Sequence, residues 1–174
     1  RSVYNSMTSR LLVDKIEGKT TASTVQMPSG HIIQSQFHQF NDQTSTSSTS
    51  FVDITGSSFT FTPKFSTSKL HIRFDASVNF KRSNTNAGGT VQIVVDGSAI
   101  TGSPTAEYMF YILATNPVEV HCTQSFESEV SATNTNTKTI KLQTRIYNSS
   151  NSGLVRINQG NYFHSGIKVQ EIAQ

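Results

Sequence analysis

Apolar and polar residues alternate along most of this chain with a period of two. The longest run, KLHIRFDASVNFK, puts Leu70, Ile72, Phe74, Ala76, Val78 and Phe80 on one parity and His71, Arg73, Asp75, Ser77, Asn79 and Lys81 on the other. Successive side chains of an extended chain point to opposite faces, so this predicts a strand with one face in a core and one in water. A helix would scatter those six apolar residues around its circumference. VEVHCTQSF repeats the pattern with Val118, Val120, Cys122 and Phe126, and TIKLQTRIY with Ile140, Leu142 and Ile146. TVQIVVDGSAI leads Val91, Ile93 and Val95 into Asp96-Gly97, a two-residue hairpin signal. FVDITGSSFTFTPK reads as two short strands around Gly56, HIIQSQFHQF as the first strand after a turn at Pro28-Ser29-Gly30, and GLVRINQ and SGIKVQEI as the last two. EYMFYILAT fits a strand or a short helix. About eight to ten short strands with Ser/Thr/Asn/Gly turns between them predict an all-β fold, an antiparallel β-sandwich of jelly-roll or Greek-key type.

Residues 1–24 break the alternation. They hold one short apolar run with Leu11, Leu12 and Val13, then Ile16, in a polar setting, and read as an extended N-terminal arm on a sandwich domain spanning 25–174. Met7 could be a natural start, which would make Arg1–Ser6 an upstream extension.

Composition sharpens this. Ser (25) and Thr (22) replace much of the usual charge and apolar content, for only 14% of residues are charged and 34% hydrophobic. Such a composition suggests disorder; the strict alternation argues against it. The net charge of +3 is mild, and no Lys/Arg run has the length of a nucleic-acid or membrane patch. No window approaches the uninterrupted apolar length of a membrane-spanning helix. The single Cys122 excludes a disulfide within the chain and a cysteine-based zinc site. No cofactor is expected.

The candidate chemistry is thin. His31 and His38 are seven residues apart, an odd spacing that sets them on opposite faces of one regular strand. Alternation groups Ile33, Ser35 and Phe37 with His31, and Ile32, Gln34, Gln36 and Phe40 with His38. A metal would then need a three-fold axis to gather copies of one histidine. His71 and His121 fall on polar strand faces, and Cys122 on an apolar one, where a small core residue is the simpler reading than a nucleophile. Glu127 and Glu129 share a face; paired acids can serve glycosidase chemistry, although surface acids at a strand end are commoner. Tyr108, Tyr111, Tyr147 and Tyr162 lie near Asn- and Ser-rich loops that suit sugar hydroxyls. Apolar residues such as Val94 and Ile157 are expected on exposed sheet faces.

RLLVDKIEGKTTASTVQMPSGHIIQ resembles the opening of small structural proteins of marine tailed phages, on Leu12, Val13, Asp14 and Ile16, then Pro28, Gly30, Ile32, Ile33 and Gln34. FTFTPKFSTSKLHIRF resembles a second signature of that family, on Thr62, Pro63, Ser66, Thr67, Ser68, Lys69 and Leu70. The resemblance implies a non-enzymatic virion protein of tail-fibre or host-adhesion type, made in the host cytoplasm and assembled as a homotrimer. It has no catalytic residues to carry over. The chain lacks the coiled coil or fibrous repeat of a full fibre, so a capsid decoration protein is the alternative, and a lectin-like or glycan-cleaving domain a third.

On this reading the arm, through Leu11, Leu12, Val13 and Ile16, attaches to other virion proteins of tail or capsid. The loops at 81–89, 131–138 and 147–153 would face a host-surface glycan, with Lys81, Arg82, Asn84, Asn86, Asn134, Asn136, Tyr147, Asn148 and Asn151 as candidate contacts. Neither nucleic acid nor membrane insertion is expected.

Overall fold

The computed structural model describes residues 28–82, 87–100, 110–112, 117–147, 153–161 and 164–174. Twelve strands occur among them. They are β1 (Ile32–Phe40), β2 (Thr44–Thr46), β3 (Val52–Asp53), β4 (Phe59–Phe61), β5 (Lys69–Arg82), β6 (Ala87–Val95), β7 (Ser98–Ala99), β8 (Phe110–Ile112), β9 (Val118–Ser131), β10 (Lys138–Ile146), β11 (Leu154–Ile157) and β12 (Ser165–Ile172).

They form two antiparallel sheets. In sheet A the 14-residue β5 is the spine, with β9 along one side, and β12 and β11 sharing the other. β1 and β2 continue outward from β12 and β11 respectively. In sheet B, β10 lies between β6 and the short pair β3 and β4, while β7 and β8 flank the far side of β6. The architecture is an antiparallel, jelly-roll-like β-sandwich.

Alternation predicts the core well. Leu70, Ile72, Phe74, Ala76, Val78 and Phe80 are all buried on the inner side of β5 and meet Val91, Ile93, Ile140, Leu142 and Ile146 of sheet B. At about 25 cal/mol per Å² of apolar area removed from water, this shared core is the main favourable term in folding. The hairpin at Asp96-Gly97 forms with positive φ at both residues (49° and 84°), the backbone that a tight two-residue turn requires. Phe110–Ile112 of the ambiguous EYMFYILAT stretch is strand β8; its other residues lie outside the described ones.

Two expectations fail. Val94 and Ile157 are buried, at 2% and 0% exposure. Ile157 belongs to the inner parity of β11, and Val94 lies on the outer side of sheet B, opposite Lys141 and Ala99, where that face is covered. The parity grouping of HIIQSQFHQF also fails at its start. A register shift between Ile32 and Gln34 sets Ile32 opposite Ile172 and Gln34 opposite Glu171. Those two β12 residues point to opposite faces, so Ile32 leaves the face of Gln34 and His38.

Candidate functional site

The outer face of sheet A is where the ionisable side chains of this chain gather. Residues directly opposite across an antiparallel pair share a face, so the register defines rows running across the sheet. One row reads Phe37, Lys168, Arg73, Glu127 from β1 through β12 and β5 to β9. Its neighbours read Ser35, Gln170, His71, Glu129 and Gln39, Gly166, Asp75, Ser125. At the margin nearest Ser131, Ile32 and Ile172 lie beside Lys69.

The charges are held in short surface pairs. Lys69 lies 3.4 Å from Glu129, His71 Nε2 3.5 Å from Glu127, and Arg73 donates to Asp75 at 3.1 Å. Asp75 also accepts from Ser125 Oγ. Partial burial pushes the Asp75 carboxyl up, but the bonds from Ser125 and Arg73, with the Arg73 charge, outweigh it and hold the group below the usual aspartate value. The hydrogen bond to Asp75 raises the Arg73 guanidinium.

Farther along β5 the face becomes a network. Asn79, 2% exposed, donates Nδ2–H to Glu119 at 3.0 Å and contacts His121 Nε2 at 2.9 Å, while its Oδ1 accepts from Arg156 at 3.2 Å. Because Asn79 presents a donor to it, His121 Nε2 is an acceptor there and the ring proton sits on Nδ1. Glu119 has its carboxyl pushed up by burial. Hydrogen bonds from Asn79 and Gln159, with the charges of Arg156 and Lys81, bring it below the usual value.

Phe37, at 64%, is the most exposed large apolar side chain among the described residues of this face, with Ile32 at 50% on its margin. Its ring lies over Gly166, where an added Cβ would stand 2.6 Å from ring carbons. A side chain at 166 would lift the ring off the sheet. A shallow depression of about 280 Å³ opens beside it, bounded by Arg73, Asp75, Glu127 and Lys168 among others.

Sequence reasoning misses Glu171, and with it the anchor at the base of the sheet. It is fully buried, at 0% exposure, on the inner parity of β12. Its carboxylate accepts from the backbone N–H of Lys64 and Phe65, from Ser68 Oγ and from Gln34 Nε2, at 2.6–2.9 Å. Burial pushes this carboxyl up, and the four donors more than reverse it, so it titrates below an ordinary glutamate. The available signal was an acid on an apolar parity.

The other candidates fall in separate places. His38 Nε2 contacts the Gly56 carbonyl at 2.7 Å and its ring stacks on Phe59 at 4.9 Å, which makes it a tie between β1 and the β3–β4 loop. A carbonyl only accepts, so Nε2 carries the proton. Cys122 is half-buried against the core edge. Among the described residues no group of three or more His, Cys, Asp or Glu could hold a metal ion, and no helix is long and apolar enough to cross a membrane.

The three candidate loops do not form one surface. Lys81 and Tyr147 are exposed at one end of the sandwich, where Tyr147 N donates to Gly88 O. Asn134 and Asn136 lie at the other end, in the β9–β10 turn beside Lys69 and Asp96. The length of β5, 14 residues or roughly 45 Å, separates them. Arg82 is buried, at 1% exposure, and does not offer its side chain to a ligand at that end. Asn84, Asn86, Asn148, Asn151, Tyr108, Tyr162 and the arm residues Leu11, Leu12, Val13 and Ile16 lie outside the described residues.

No family model and no curated protein matches the sequence. Solved structures do align along it. A chain from the structure of infectious bursal disease virus, Gx strain, matches at 14% identity and TM-score 0.40, covering 94% of this chain and 43% of that one. The infectious bursal disease virus VP2 subviral particle matches at 14% and 0.34, covering 82% and 39%. A mutant VP2 of the same virus in derived particles matches at 14% and 0.32, covering 93% and 40%. This chain spans less than half the length of each, and at this level the likeness is one of fold.

These findings correct the resemblance to marine tailed-phage proteins, since the aligned structures are of infectious bursal disease virus and not of a phage. The quoted motifs have local structural reasons. Pro28 and Gly30 (φ 84°) make the turn into β1, and residues 62–68 form the loop that donates to Glu171. Turn chemistry of that kind reports the fold and not a lineage.

Proposed function

We propose that the chain is a non-catalytic structural subunit of an assembled viral particle, present there as a homo-oligomer, a trimer in its simplest form. The observation that carries this reading is the outer face of sheet A. Its ionisable groups lie in flat rows of surface pairs, not convergent in a cleft, and so offer contact area instead of a reaction centre. The viral direction comes from the fold shared with VP2 and rests on nothing finer.

The polarity of the sandwich supports a division of labour between its ends. The chain arrives at Pro28 and Gly30, beside Ala173, at the end that carries Asn134 and Asn136. The Lys81 and Tyr147 loops leave from the opposite end. Attachment through the arm at one end would leave the other to a surface receptor, with a glycan as the proposed ligand.

Sedimentation of the full chain tests the assembly, with a discrete oligomer expected; a monomer at all concentrations would refute it. Deleting residues 1–24 should leave the domain folded and oligomeric while removing attachment to particles. A glycan array with Lys81→Ala and Tyr147→Ala variants tests the display end, and unchanged binding in both would sink that part.

A further inference from the structure

We infer that the outer face of sheet A receives a second copy of this chain, the acidic β9 margin of one copy lying on the Lys168–Phe37 margin of the other. This rests on the assembly reading above and adds to it a surface and the residues that meet across it.

The argument is the charge order across the rows. On its outward side β9 carries Glu119, Glu127 and Glu129 and neither Lys nor Arg. The bases stand inward of that margin, with Lys168 on β12, and the β1 margin beyond carries no outward charge. Glu127 is 62% exposed in its side chain, with the imidazole of His71 at 3.5 Å as its partner. Lys168 is exposed and has no acid partner among the described residues. Beside it lies Phe37, a large apolar ring open to solvent and held flat by Gly166.

An acid row at one margin and a cation–aromatic margin at the other are complementary to each other and not to themselves. A two-fold axis running between the margins makes this pairing twice, and a heterologous contact makes it once per neighbour. Either contact pairs Glu127 with Lys168 and covers the ring, the arrangement in which an aromatic anchor within a charged surround contributes most to binding.

The test is charge reversal on the full chain, followed by sedimentation from about 1 to about 100 μM. K168E and E127K should each weaken association by about tenfold or more, and the double variant K168E/E127K in one chain should restore it to near wild type. Raising the salt should weaken the wild type. Rescue by the second reversal separates a broken contact from a misfolded chain, and circular dichroism checks each variant.

An oligomer indifferent to both reversals overturns the surface and leaves the assembly reading standing. A wild type monomeric throughout overturns both. A monomer that holds a glycan or another protein on this face, and loses it with K168E, overturns the choice of occupant.

Discussion

The two outer faces of this sandwich start from the same alternation and end in different states. On sheet A the outward residues of β5 and β9 stand in water or in loose ion pairs, apart from the buried Asn79. On sheet B the outward residues of β6, Thr90, Gln92 and Val94, are buried, and their partners on β10 are held by the chain itself. Lys141 Nζ lies 2.7 Å from Asp53, Gln143 donates Nε2–H to the same carboxylate at 2.7 Å and its Oε1 accepts from Gln92 Nε2 at 2.8 Å, and the Arg145 guanidinium sits 4.6 Å over the Phe51 ring. A face that the chain covers for itself has little left to offer a partner. The difference teaches where to look for an interface: on sheet A, which the monomer leaves open.

That contrast can be broken most forcefully beneath the open face. Glu171→Leu would leave the Lys64 and Phe65 N–H groups without their acceptor, and should cost about 3–5 kcal/mol in urea unfolding. The same group predicts an acid limb. Its folded-state pKa is depressed, so its contribution is complete above the unfolded value of about 4.3 and is lost as pH falls through the lower folded value. Stability measured against pH should show this limb in the wild type and a flatter one in Glu171→Gln.

Next in size, Val94→Asp puts a charge on the covered face of sheet B and should cost about 3 kcal/mol. Gln170→Lys, an outward substitution on sheet A, should change stability by less than about 0.5 kcal/mol. Equal costs at the two sites would erase the distinction between the faces.

The smallest effect concerns the ion pairs. Asp53 is held below the usual aspartate value, first by its bond from Lys141 and then by that from Gln143. It is well exposed, so screening limits the cost of Asp53→Ala to about 0.5 kcal/mol. Its contribution is present above the unfolded aspartate value and lost as pH falls through the depressed folded one. Double-mutant cycles with Lys141 would measure the pair directly.

Much of the fold was legible in the residues. The inner face of β5, the hairpin at Asp96-Gly97 and the strands β10 to β12 follow from period-two patterning and turn residues, both local properties. Legibility stopped where a second element decides the outcome. Alternation cannot tell a face in water from a face covered by other parts of the chain, so Val94 was misplaced. It cannot foresee the bulge at Ile32–Gln34, which depends on how β1 pairs with β12. Nor does a glutamate on an apolar parity announce the loop that satisfies it. The candidate loops looked alike in composition and proved to lie at opposite ends.

By itself, then, the sequence determined the class of fold, most of its strands and most of its core, because side-chain direction along an extended backbone depends only on parity. Only the tertiary structure decided which sheet stays open, where Glu171 finds its donors, and how Phe37, Lys168, Arg73 and Glu127 come into one row. Those four residues are scattered from 37 to 168, and strand pairing between distant segments alone sets their order.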